Sequence, residues 1–133
     1  MKILDPTNLE WKEIELQEKE STRKKKESTF KGSLSGSKTI KTNASDLYLV
    51  GDMCIKIDLT SGDYSIKHNM ATPRNCFGLC NIGRHLYVIG GETNDYKPAI
   101  TCESFNLKTE KWVELSKPFP DEYLSGITVI PLK

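Results

Sequence analysis

LYVIGG, residues 86–91, decides the fold because it is written twice. LYLVGD, residues 47–52, precedes it by 39 positions and matches it aromatic for aromatic, with Gly51 standing for Gly90. Self-similarity at a spacing of tens of residues marks a repeat architecture. A second anchor lies downstream of each strand. Cys54, Leu59, Tyr64 and Gly78 map onto Cys102, Leu107, Trp112 and Gly126 at an offset of 48. The nine-residue excess falls in GETNDYKPAIT, residues 91–101, whose Gly, Asn, Asp and Pro read as a loop.

A third, partial copy opens the chain. LDPTNLEW at 4–11 matches IDLTSGDY at 57–64 and FNLKTEKW at 105–112. Each has a strand end, a polar turn and an aromatic that starts the next strand. Asp5, Asp58 and Asn106 open these turns, where a short polar side chain bonds the backbone ahead. Each copy therefore reads as a β-hairpin. The pattern predicts strands at 2–5, 11–16, 37–42, 46–51, 54–58, 64–68, 77–82, 85–90, 101–106, 111–115 and 125–131, an all-β chain. LYVIG is a continuous apolar run rather than an alternation, so it calls for cover on both faces. Gly90 and Gly91 end it where positive φ or close backbone approach is needed.

Composition narrows the function classes. The chain has 133 residues and a net charge of +1, so no global field points to nucleic acid. Its longest apolar run is far short of a membrane span. MKILDPTNLEW reaches Asp5 and Pro6 too early for a signal-peptide core, which predicts a cytoplasmic protein. Cys54, Cys76, Cys80 and Cys102 are then expected to be reduced thiols.

Taken together, LYVIGG at 86–91, ESF at 103–105, Trp112, KPFP at 117–120 and, in the preceding copy, MATPRNCFG at 70–78 resemble the kelch repeat. The resemblance covers residues 47–131 and implies a partial β-propeller of four-stranded antiparallel blades. On that basis the chain divides into a terminal hairpin at 1–16, a charged Ser/Gly/Lys-rich loop at 17–36 and a kelch repeat at 37–76. A second repeat at 77–133 carries the insertion at 91–101 and a final strand of the next blade. SKTIKTN, residues 37–43, is expected to supply the innermost strand of the first blade. Three departures stand out: Asp52 replaces a glycine, which predicts a distorted turn, Tyr64 replaces the usual Trp, and Glu122 stands where Arg74 predicts an arginine.

Roughly three blades are too few to close a ring of the usual size. Three arrangements remain open: part of a longer propeller, a ring of about six blades closed by a second copy, or an open partial propeller.

The family implies a partner-binding face built from two loop classes. Carried over by position, the loop after the glycine pair gives Glu92, Thr93, Asn94, Asp95 and Tyr96, and the loop after the Met-Pro-type turn gives Arg74 and Asn75, with Glu122 and Tyr123 in the later copy. Tyr and Arg are the types most often energetic at interfaces, which ranks Tyr96, Arg74 and Tyr123 first. Arg74 also has a structural alternative, contacts within its own blade.

Other features read more simply. Arg23, Lys24, Lys25 and Lys26 form a basic run suited to nuclear localisation, but Glu18, Glu20 and Glu27 flank it and a solvated loop explains it. Cys76 and Cys80 lack the paired spacing of a zinc site, and with two histidines in the chain no metal or cofactor set is legible. No catalytic motif stands out. The expected function is a protein–protein interaction module of adaptor or scaffold type, with ubiquitin-ligase substrates and cytoskeletal proteins as the partner classes the family implies. The alternatives are a structural subunit docking by open blade edges and a kelch-class enzyme such as a sugar oxidase or epimerase.

Overall fold

The computed structural model describes residues 2–4, 7–13, 15, 17–18 and 36–115, and among these every regular element is a strand. The hairpin strands β1 (Lys2–Leu4) and β2 (Trp11–Glu13) are followed by the short β3 (Gln17–Glu18). Then come β4 (Lys38–Lys41), β5 (Asp46–Val50), β6 (Cys54–Asp58) and β7 (Asp63–Lys67), and after a connector containing β8 (Arg74–Asn75), the strands β9 (Gly78–Ile82) and β10 (His85–Ile89). The short β11 (Glu92–Thr93) precedes β12 (Cys102–Asn106) and β13 (Lys111–Glu114). The expected strand at 125–131 lies outside the described residues.

The strands assemble into two like sheets. β4 to β7 form an antiparallel meander, and β9, β10, β12 and β13 form another in the order β13-β12-β10-β9. β4, within the 37–43 segment, ends this sheet beside β5 and lies against β9 of the other. One element of the charged segment departs from it: Gln17 and Glu18 form a fifth strand, parallel to β7, instead of loop. An edge strand offers unpaired backbone groups, and β3 takes up those of β7.

The repeat read in the sequence is present in the register. Leu4 faces Trp11, Ile57 faces Tyr64 and Phe105 faces Trp112. The turns agree to the bond. The Asp58 carboxylate accepts the N–H groups of Thr60 and Ser61 at 2.8 and 3.2 Å, and Asn106 Oδ1 accepts those of Lys108 and Thr109 at 2.9 and 3.1 Å. Each turn closes through a left-handed residue, at φ 59° for Leu9, 80° for Gly62 and 58° for Glu110. A glycine takes that conformation without strain, whereas Leu and Glu do so only because the rest of the turn holds them.

The core forms between the two sheets. Tyr48, Val50 and Cys54 meet Leu86, Val88 and Phe105, and the connector adds Met70 and Phe77. Tyr48 and Phe105 rings pack tilted across the seam with centroids 5.8 Å apart. Burying one such side chain contributes roughly 1.5–3 kcal/mol. Two polar ties cross the same seam: Trp112 donates its indole N–H to His68 O at 2.7 Å, and Lys67 pairs with Glu110 at 2.7 Å. The second cover expected for LYVIG is not among the described residues. Leu86 and Val88 are fully buried, but Tyr87 and Ile89, on the other face, are only half-buried.

Candidate recognition face

Because the sheets are meanders, successive turns alternate ends. One end gathers the loops after β5 and β10 together with the connector 68–77. This is the end where the sequence placed its binding candidates.

Arg74 does not belong to that surface. It is 0% exposed, and all five of its guanidinium N–H groups are used. Nε donates to Thr72 O at 3.0 Å, one terminal nitrogen donates to Gly90 O and Thr101 O, and the other to Thr101 Oγ1 and to Glu103 at 2.8 Å. Glu103, also 0% exposed, accepts in addition the backbone N–H groups of Ala71 at 2.6 Å and Thr72 at 3.1 Å. The fixed fork of arginine suits this site, where donors in one plane meet carbonyls on three segments. Arg74 is thereby corrected from a contact residue to the anchor beneath the loops. Glu103 was legible only as part of ESF; nothing in the sequence paired it with Arg74 across 29 residues.

Above the anchor, the loop at 91–101 is better ordered than the sequence suggests. Gly90 and Gly91 have φ of 62° and 90°, as their pairing predicts. A Cβ on Gly91 would lie 2.4 Å from Asn75 O, so glycine also permits close approach. β11 pairs with β8, setting Glu92 opposite Asn75 and Thr93 opposite Arg74. Thr93 N–H donates to Lys97 O at 2.8 Å, Tyr96 N–H donates to Thr93 O at 2.9 Å, and Ala99 N–H donates to Gly91 O at 2.9 Å. The result is a small hairpin whose tip carries Asn94, Asp95 and Tyr96 in solvent. Tyr96 is 83% exposed and left-handed at φ 58°. Glu92, Thr93 and Asn75 are half-buried in the stem. Glu122 and Tyr123 lie outside the described residues.

The corresponding turn of the first sheet differs as Asp52 predicts. Neither Gly51 nor Asp52 is left-handed, and the turn is held instead by Asn69, whose Oδ1 accepts from Cys54 N–H at 3.0 Å and whose amide donates to Asp52 O at 2.8 Å. Asn69 was not singled out in the sequence, and no local signal marks it.

Cys54, Cys80 and Cys102 behave as packing groups, whereas Cys76 is exposed. Cys54 and Cys102 occupy equivalent strand starts, and both are buried. Burial pushes the Cys54 thiol up to about 12, Lys67 opposing and Glu110 adding to the shift. Burial also raises Cys102, against the nearby Arg74 guanidinium, and it raises Cys80. Among the described residues no group of three or more His, Cys, Asp or Glu side chains could hold a metal ion.

Residues 73–118 match the family model of the Kelch motif. The match starts beside Arg74 and takes in the whole second sheet, and the antiparallel four-stranded sheets fit the blade of a propeller fold. No curated protein matches the chain.

Proposed function

We propose, from the kelch motif that residues 73–118 carry, that the chain is a protein-interaction module presenting the hairpin at 92–97 to a protein partner. A kelch motif suggests an interaction propeller in general; the adaptor or scaffold role, a cytoplasmic setting and the contact residues are our reading. The observation that supports it most is Tyr96, a large aromatic held in solvent at the tip of a hairpin whose stem is bonded to a buried arginine. Such preorganisation lowers the entropic cost of binding. Asn94 and Asp95 flank it as polar contacts, with Glu92 and Thr93 supporting them from the stem. Asn75 shares that stem, while Glu122 and Tyr123 would extend the face from the next copy.

The test is a photo-crosslinking residue placed at position 96 and, as a control, at the exposed Leu9 in the turn of the first hairpin. A protein captured only from position 96, whose affinity falls about 30-fold in Tyr96→Ala without change in melting, supports the proposal. Equal capture from both positions, or unchanged affinity in Tyr96→Ala, overturns it. A second reading, docking through a strand edge, draws on β13: Val113 is 57% exposed, and among the described residues the outer edge of β13 pairs with nothing. Val113→Lys would abolish association on that reading and leave it intact on the first.

A further inference from the structure

At the end opposite the glycine loops, the seam between the two sheets opens into a groove of about 460 Å³. Its floor is the buried Tyr48 ring and Leu107. Its rim carries three cations, Lys56 from the first sheet and Arg84 and Lys108 from turns of the second. One anion, Asp46, shares the rim, but its Oδ2 already takes Lys56 at 3.0 Å and the Asn43 amide at 2.8 Å. Arg84 and Lys108 are exposed and make no ion pair among the described residues.

The repeat separates what the fold requires here from what it does not. The position of Arg84 is occupied by Ser45 in the first copy, and that of Lys108 by Thr60. The backbone bond that builds the turn is the same in both: Leu59 N–H donates to Ser45 O at 2.7 Å, and Leu107 N–H donates to Arg84 O at 2.9 Å. The fold therefore needs the main chain at these positions and not the charged side chains. Two unpaired cations have been placed at the mouth of an apolar-floored groove without a structural role.

We infer that this groove binds an acidic peptide segment, its carboxylates meeting Arg84 and Lys108 and an intervening apolar side chain resting on Leu107. A volume of about 460 Å³ is far more than a single inorganic anion fills and falls in the range of ligand pockets. The floor argues against single-stranded nucleic acid, which stacks on exposed aromatic rings, whereas Tyr48 is 2% exposed. Guanidinium and ammonium groups at an open rim suit carboxylates, and the attraction is screened by salt. The groove is independent of the Tyr96 face.

The test uses a fluorescein-labelled peptide of alternating Glu-Glu-Leu triplets, with Gln-Gln-Leu as its neutral counterpart, titrated into the whole chain at low salt. Anisotropy should show binding of the acidic peptide alone, weakening as salt is added. Amide shifts should move at Thr42 and Leu107 and stay still at 92–97. Arg84→Ala with Lys108→Ala should weaken binding roughly tenfold, while Lys97→Ala, which removes a cation at the other end, and Tyr96→Ala should not. Equal binding of the neutral peptide, shifts confined to 92–97, or full retention in the double variant overturns the inference. So does inorganic phosphate moving the same amides at the same concentration as the peptide, which would make the groove a simple anion site.

Discussion

Replacing Arg74 tests the reading of this face most directly, because a contact residue and a buried anchor predict opposite results. Arg74→Met keeps most of the side-chain volume and removes five donors. It leaves the carbonyls of Thr72, Gly90 and Thr101 without that partner and the Glu103 carboxylate, 0% exposed, with backbone donors alone. Removing one member of a buried ion pair costs about 3–5 kcal/mol. With a urea slope of about 2 kcal/mol/M, the unfolding midpoint should fall by about 2 M. A domain of ordinary stability, about 5–15 kcal/mol, loses roughly a fifth or more of it. Arg74→Lys keeps the charge but offers three donors without the planar fork, so it should fall between wild type and Arg74→Met. A cycle with Glu103→Gln should show coupling of about 1–3 kcal/mol. The assay is equilibrium urea denaturation followed by tryptophan fluorescence, since Trp112 packs on Phe105 beside the seam. A midpoint shift under about 0.3 M with unchanged slope, the size expected of an exposed substitution, would refute the argument.

Other predictions follow from local geometry. Gly91→Ala must hold φ 90° and place a Cβ 2.4 Å from Asn75 O, so it should cost more than about 2 kcal/mol in urea denaturation, whereas Gly83→Ala, at φ 58° with open space, should cost about 1 kcal/mol. Asp58 is held below its usual 3.8 first by the N–H groups of Thr60 and Ser61; its stabilisation is present above that value and lost as pH falls through the lowered folded pKa. Asp58→Asn, which copies Asn106, should therefore keep its thermal midpoint at pH 7 and lose less of it than wild type below about pH 4. Trp112→Phe removes the hydrogen bond to His68 O across the seam and should cost about 1 kcal/mol, read as a lower melting temperature.

The strands were legible because two signals coincided, apolar runs and turn residues at a fixed repeat spacing. β5, β6, β10 and β12 fall within a residue of expectation. The elements missed were β3, β8 and β11, two-residue strands too short to carry any periodicity. At the candidate face the glycine pair announced its own backbone. Arg74 was picked by its position in the motif and ranked by residue type, and neither tells an arginine that meets a partner from one that meets its own carbonyls. That distinction needed Gly90, Thr101 and Glu103 brought together from three segments, a convergence with no signature along the chain. The groove at the other end was hidden for the same reason, since Lys56, Arg84 and Lys108 converge only once the sheets pack.

Arg74 binds Gly90 O and Thr101 O with one nitrogen, and so grips both stems of the 91–101 segment at once. The segment is thus closed at its base by the scaffold as well as by its own Gly91–Ala99 bond. Closing a longer loop across fixed stems costs little, about 0.6 kcal/mol for each doubling of length. The site is in effect a socket for grafting: the tip residues 94–96 can be exchanged or lengthened while the stem and the two sheets keep their stability. A library of hairpins inserted there should vary in what it captures and hardly at all in how it melts.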